Sequence, residues 1–105
     1  MAEDSGRVMK LEIVARAGSL FEGEVSDVVV PAFHGEMGIL PRRAPVMAVV
    51  RQGVVRFTEN GEKKSVEVGD GFLTVDQDHV TVVVENYDED RDPQHPSNPA
   101  ASIQE

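Results

Sequence analysis

The side chains best suited to metal chemistry are two histidines and a glutamate. His34 and Glu36 lie two residues apart in an extended segment, so both are expected on one face of a strand, and His79 could join them from another strand. Such a donor set could hold a metal with one open position, as in cupin-type barrels. The spacing lacks the second nearby histidine of those barrels, and His79 falls in a predicted turn beside Asp78. The pattern therefore disfavours a metal site.

Other catalytic patterns are missing. The sequence contains no cysteine and no serine in a Gly-x-Ser-x-Gly elbow. The glycine pair Gly35 and Gly38 is followed neither by lysine nor by a helical pattern, so it does not resemble a phosphate-binding loop. We therefore expect no enzymatic activity, no cofactor and no nucleotide binding.

One loop is rigid enough to be a contact surface. The segment after the Val28–Val30 run contains Pro31, Phe33, His34 and Glu36, and two further prolines, Pro41 and Pro45, frame Arg42-Arg43-Ala44. Proline fixes φ and biases the preceding residue towards extended geometry. The segment is either a contact surface with an exposed aromatic and polar groups or an ordinary connection between strands, and both readings stay open.

The elements around this loop are predicted to be strands. Between Val8 and Val84 there are eighteen valines, and apolar residues alternate with polar ones. Met9, Leu11, Ile13 and Ala15, for example, share one face. Asn60-Gly61 is a hairpin turn, and Gly69–Gly71 and Asp76–Asp78 are further turns. Short strands with frequent turns indicate an all-β, flattened antiparallel β-sandwich of about ten short strands.

Two segments lack this alternation. Residues 25–30 end with apolar side chains on both faces, and residues 46–50 are apolar throughout. A strand that is apolar on both faces must be covered on both faces. The second cover is either a loop of the chain or a partner protein.

Composition limits the domain count and the partners. The 105 residues allow one domain. A net charge of -9 disfavours nucleic acid and anionic lipid as partners. No apolar run approaches the roughly 20 residues needed to span a bilayer, and the acidic N-terminus does not resemble a signal peptide. We therefore expect a soluble, intracellular protein without direct membrane insertion.

The domain organisation is predicted in three parts. Residues 1–7 are a flexible N-terminus, residues 8–86 are the β-sandwich, and residues 87–105 are a disordered tail. The tail is acidic and contains Pro93, Pro96 and Pro99. Such a composition buries too little apolar surface to offset the entropy of ordering.

Five motifs occur in the order typical of one family. They are Leu11-Glu12-Ile13-Val14, Phe21-Glu22-Gly23-Glu24-Val25, Gly35-Glu36-Met37-Gly38-Ile39-Leu40-Pro41 followed by Ala44-Pro45, Gly71-Phe72-Leu73-Thr74-Val75, and Val80-Thr81-Val82. Together they resemble the N-terminal β-sandwich domain of the epsilon subunit of bacterial F-type ATP synthase. The third motif is the most specific of the five.

The resemblance implies a function and partners. It implies a non-catalytic rotor subunit of the central stalk that links the gamma subunit to the membrane ring of proteolipid subunits and so couples proton flow to ATP synthesis. The chain would belong to the alpha/beta/gamma/delta/epsilon complex, as a peripheral protein on the cytoplasmic side of the bacterial plasma membrane. By resemblance, the ring contact is Phe33, His34, Gly35 and Glu36, and the gamma contact is Ala15, Arg43, Ala44, Met47 and Ala48.

The sequence also departs from the family. Arg42-Arg43 lies where the family often has Gly-His. The family usually continues into a C-terminal helical hairpin, which inhibits catalysis and in some members binds ATP, and here the expected acidic tail takes its place. We therefore expect neither activity by that route. A stand-alone β-barrel binding module is the alternative from another class, and a cupin-like metalloenzyme is the third.

Overall fold

The computed structural model describes residues 7–91, which form nine β-strands and one short 3-10 helix, where about ten strands were expected. The helix covers Glu89–Arg91. The strands are β1 (Met9–Ala15), β2 (Gly18–Val25), β3 (Asp27–Ala32), β4 (Gly35–Ile39), β5 (Val46–Val50), β6 (Gly53–Glu59), β7 (Glu62–Val68), β8 (Gly71–Asp76) and β9 (His79–Val84). The predicted all-β class is confirmed.

The strands form two layers that are joined at one corner. Hydrogen bonding follows the order β2-β1-β9-β8-β5-β3-β6-β7, with β4 beside β3. The connection between β5 and β3 is short: Ala32 pairs with Val50, Phe33 N donates to Val49 O at 3.0 Å, and Arg51 N donates to Pro31 O at 2.7 Å. At this corner the hydrogen-bonded sheet bends, so that the strands on its two sides form two layers. We call β2-β1-β9-β8-β5 the first layer and β4-β3-β6-β7 the second layer.

One strand pair is parallel. β1 pairs with β9 in parallel, whereas every other pair among the described strands is antiparallel. The two strands lie at opposite ends of the sequence, so no hairpin constrains their direction. The antiparallel sandwich that the sequence predicts thus contains one parallel pair among its described strands.

The core lies between the two layers, as the alternation predicts. Met9, Leu11, Ile13 and Ala15 of β1 are all buried on its inner face. The second layer contributes Val28, Val30, Val55 and Phe57 to the same cluster, among others. At the far edge, the Phe21 and Phe57 rings pack with their centroids 4.3 Å apart, which brings β2 against β6. The predicted sandwich is therefore confirmed.

The turns lie at the two ends of the sandwich. Asn60 and Gly61 have φ of 53° and 81°, as a type I′ hairpin requires. Gln77 and Asp78, between β8 and β9, also have positive φ (50° and 61°) although neither is glycine. Both turns lie at one end, together with the β4–β5 connection. The Phe33–Gly35 turn and the β5–β6 connection lie at the other end.

The chain beyond β9 remains attached to the sandwich through residue 88. Gln52 Nε2 donates to Asp88 O at 2.9 Å, and Asp88 N donates to Gln52 Oε1 at 3.1 Å. The tail predicted for residues 87–105 thus begins within the described chain, while residues 92–105, like residues 1–6, lie outside it. The boundaries proposed for the sandwich, residues 8–86, stay a prediction. Within residues 7–91 no helix is long and apolar enough to cross a membrane.

Candidate functional site

The outer face of the first layer carries a continuous row of exposed apolar side chains. Val49 pairs with Phe72, Phe72 with Val83, and Val83 with Val14, so one row crosses β5, β8, β9 and β1. Their exposed fractions are 56%, 46%, 38% and 37%, and Met47 on the same face of β5 is 71% exposed. With strands about 4.8 Å apart, the row is about 14 Å long. We call these five residues the apolar face.

Strand β5 is apolar on both sides, and one of its sides belongs to the apolar face. Val46, Ala48 and Val50 point inwards, and Met47 and Val49 point outwards. The sequence predicted that a loop or a partner must cover the second side of this strand. No loop within residues 7–91 does so, because Met47 and Val49 are both more than half exposed. This side of β5 is therefore open in the described part of the chain.

Polar and charged side-chain pairs lie at two ends of the apolar face. Arg16 Nη2 lies 3.1 Å from Glu85 Oε1 at one end. Towards the other end, His79 Nε2 lies 3.2 Å from Glu12 Oε1, and Lys10 Nζ lies 3.3 Å from Glu22 Oε2. An apolar centre with a polar rim is the usual anatomy of a protein–protein interface.

The Phe33–Glu36 turn adjoins this face. Phe33 is 57% exposed, the Arg51 guanidinium lies 5.3 Å from its ring centroid, and the His34 ring meets it edge-on at 4.9 Å. Gly35 has φ of 123°, a conformation that favours glycine. A shallow groove of about 440 Å³ separates the turn from β5, and its lining includes Phe33, His34, Gly35, Glu36, Met47, Ala48 and Val49. The structure thus brings the four predicted ring contacts next to two predicted gamma contacts, Met47 and Ala48.

The other predicted gamma contacts lie elsewhere. Ala15 is 6% exposed and faces the core, so a partner on the outer face would contact its neighbour Val14 instead. Arg43 and Ala44 are exposed in the β4–β5 connection, at the opposite end from Phe33. That connection is fixed by Arg42, whose φ is 72° and whose backbone N donates to Asp78 Oδ1 at 2.6 Å.

The structure separates the candidate metal ligands. His34 lies in the β3–β4 turn at one end of the sandwich, whereas His79 begins β9 at the other end and contacts Glu12. Within residues 7–91 no three His, Cys, Asp or Glu residues are grouped so that they could hold a metal ion. The geometry of the described chain gives no support to the cupin-like alternative.

The outer face of the second layer is mostly polar, although Val54 on β6 is 38% exposed there. Arg56 Nη2 donates to Glu36 Oε1 at 2.7 Å, and Thr58 Oγ1 donates to Asp27 Oδ1 at 3.0 Å. On the inward side of β6 and β7, at the edge of the layer, the hydrogen bond from Lys64 Nζ to Glu59 Oε1, 2.8 Å long, raises the pKa of Lys64 above its ordinary value. We call the outer surface of this layer the polar face.

Sequence reasoning missed several of these residues. The outward position of Phe72 and Val83 agrees with alternation, because Phe72 precedes the buried Leu73 and Val83 lies between the buried Val82 and Val84. Arg51 and Arg56 carried no such signal. Their contacts with Phe33 and Glu36 join strands that are not consecutive, so only the tertiary fold shows them.

The fold and its surface define a class of protein: a small β-sandwich module with one apolar outer face suited to protein contact. The chain matches the family described as ATP synthase, Delta/Epsilon chain, beta-sandwich domain over residues 8–89, and it belongs to that family.

Relatives with curated names agree with this assignment. An ATP synthase epsilon chain of Neisseria meningitidis serogroup C is 44% identical over 80 residues, which are 74% of this chain and 57% of the relative. One from Desulfitobacterium hafniense is 35% identical over 75 residues, 71% of this chain and 57% of the relative. The chain therefore spans a little over half the length of these relatives.

Solved structures share the fold. A chain from the central stalk and c-ring of the Tetrahymena thermophila mitochondrial ATP synthase superposes with a TM-score of 0.68 at 10% identity, covering 93% of this chain and 78% of that one. A chain from the Euglena gracilis mitochondrial ATP synthase gives 0.67 at 17% identity, covering 92% and 72%.

Proposed function

We propose that this chain is a non-catalytic rotor subunit of the central stalk of a proton-translocating F-type ATP synthase. It links the gamma subunit to the proteolipid ring, as a peripheral protein on the cytoplasmic side of the bacterial plasma membrane. Family membership and the names of the relatives support this role. The observation that carries it is the apolar face, an exposed row on an otherwise well-packed sandwich.

The gamma subunit is proposed to cover the apolar face. Burying an exposed valine, methionine or phenylalanine contributes roughly 25 cal/mol for each Å² removed from water. Three of the five side chains are valines, whose χ1 is already restricted, so little rotamer freedom is lost on binding. Because β5 runs from one end of the sandwich to the other, a partner on Met47 and Val49 could also reach Ala44 and Arg43.

The ring is proposed to contact the Phe33–Glu36 turn. This turn projects from one end of the sandwich and offers an aromatic ring, an imidazole and a carboxylate. Arg51 over Phe33 and Arg56 against Glu36 limit how far these side chains can move. A preorganised turn loses less conformational freedom when a partner binds.

Transmission of torque needs a rigid body rather than catalytic groups. The sandwich supplies this rigidity through a continuous hydrogen-bonded path of strands around one core. With gamma on one face and the ring at one end, rotation of the ring would turn the stalk without slippage. Such a role agrees with a surface built of apolar and paired charged residues.

A matched pair of substitutions tests the gamma contact. Val83 on the apolar face and Val54 on the other layer are each 38% exposed within a strand. We expect Val83→Lys to fold and to lose co-purification with gamma, because burying an unpaired charge in an interface costs at least about 2 kcal/mol, about thirtyfold in affinity. Val54→Lys, which places its charge opposite Glu67, should retain gamma. The proposal would be contradicted if both variants assemble normally. It would also be contradicted if both variants fold and both lose co-purification with gamma.

Cross-linking tests the ring contact. A cysteine at His34 should form a cross-link to the ring subunit in the assembled complex, whereas a cysteine at Glu62, exposed at the opposite end of the sandwich, should not. Cross-links that form only from Glu62→Cys would reverse the proposed orientation.

A further inference from the structure

Glu36 is held by an arginine that the sequence pattern does not single out. Arg56 lies on β6, and its Nη2 donates to Glu36 Oε1 on β4 at 2.7 Å. Both side chains are more than half exposed in the isolated chain. β6 and β4 are not neighbours, because β3 runs between them.

The pair therefore spans a whole strand. Val29 on β3 pairs with Arg56 on one side and with Gly38 on the other. Two strand spacings amount to about 9.6 Å, a distance that the long arginine side chain covers by lying across Val29. A Cβ at Gly38 would meet no atom within 4 Å, so the space above β4 at this register is open. Length and a planar guanidinium make arginine suited to this position, and lysine is a poor substitute.

We propose that Arg56 is the positioning residue of the ring contact. It orients the Glu36 carboxylate and neutralises its charge, so that the turn presents an ion pair rather than a bare anion. This inference rests on the proposed contact between Glu36 and the proteolipid ring. A surface that offers both donors and acceptors fits a polar loop with groups of both kinds, rather than a lone cation on the ring.

A double-mutant cycle tests this role. The variants are Arg56→Met, Glu36→Gln and the two together, and the measurement is equilibrium binding of the chain–gamma complex to membranes that carry the ring. Arg56→Met leaves Glu36 unpaired in the contact and should weaken binding about thirtyfold. The double variant has no unpaired charge, so it should recover to within about threefold of the unaltered chain. Arg56→Lys should bind less tightly than the double variant does.

Two results would overturn the inference. If Arg56→Met weakens binding equally with and without the Glu36→Gln substitution, Arg56 contacts the partner by itself. If Arg56→Met binds normally while His34→Cys still cross-links to the ring, the pair has no role in a contact that does exist. Absence of the His34→Cys cross-link would instead overturn the ring contact itself.

A structural measurement separates positioning from binding. In the isolated chain, NMR couplings of Glu36 should report one preferred side-chain rotamer, and Arg56→Met should replace it with an average over several, with the melting temperature nearly unchanged. An unchanged Glu36 rotamer in Arg56→Met would overturn the positioning role whatever the binding data show.

Discussion

The two outer faces of the sandwich are built from the same kind of strand and differ in what they expose. The first layer presents a row of three valines and one phenylalanine that crosses four strands, with Met47 beside it. The second layer presents ion pairs and hydroxyl groups, including Arg56–Glu36 and Thr58–Asp27. Both layers bury valine-rich inner faces against each other.

The difference shows which apolar residues the fold itself requires. A stable sandwich needs apolar side chains on its inner faces. Because side chains alternate between the two sides of a strand, the outer faces can be polar. Away from the Phe33–Glu36 turn, the polar face is what such a strand exposes when no partner covers it. The apolar face departs from this pattern on four strands at the same register, which supports the proposal that another surface covers it.

The largest expected difference between a core residue and a residue of the apolar face can be measured on one strand, β8. Leu73 is fully buried and its neighbour Phe72 is 46% exposed. Leu73→Ala should lower the free energy of unfolding by about 2–5 kcal/mol, because it leaves a cavity in the core. Phe72→Ala should lower it by less than about 1 kcal/mol and should instead weaken binding to gamma. Urea denaturation and co-purification measure the two effects.

Leu73→Ala also serves as the control for Phe72→Ala. A destabilised but folded Leu73→Ala chain should still bind gamma, since its outer face is intact. If Phe72→Ala instead destabilises the chain as much as Leu73→Ala does, the apolar row contributes to the fold and the contrast between the two faces disappears.

The alternation of polar and apolar residues was sufficient to predict the sandwich and much of its core. It placed Ala15 with Met9, Leu11 and Ile13 on one face, and all four are buried together. The gamma contact implied for Ala15 by resemblance stays a prediction, and in the isolated chain this residue is only 6% exposed.

The alternation pattern could not show which side of β5 faces the core, and it could not show which residues the arginines contact. In Val46–Val50 both sides are apolar, so the pattern cannot tell that Met47 faces outwards and Ala48 inwards. That choice is made by the pairing of β5 with β8 and by the corner at Ala32–Val50. The Arg56–Glu36 pair depends likewise on the register of β6 against β3, which no turn in the sequence specifies.

The smallest expected effect concerns two charged pairs, one in each layer. Arg16 pairs with Glu85 beside the apolar face, and Lys64 pairs with Glu59 on the inward side of β6 and β7, at the edge of the second layer. An exposed pair such as Arg16–Glu85 contributes about 0–1 kcal/mol, so Arg16→Gln should change the free energy of unfolding by no more than this, and Lys64→Gln should change it little. Urea denaturation of the two variants measures that change.

The two variants should differ in how fast gamma binds, because a charge on the rim of an interface acts mainly on the association rate and its salt dependence. We expect Arg16→Gln to change the rate at which gamma binds at low salt by a few-fold, with the difference fading as salt is raised, and Lys64→Gln to leave that rate unaltered. Stopped-flow association at two salt concentrations measures both. If the two variants change the association rate equally, the overall charge of the chain governs association, and not the position of a charge beside the apolar face. That result would contradict the proposal that gamma associates at the apolar face.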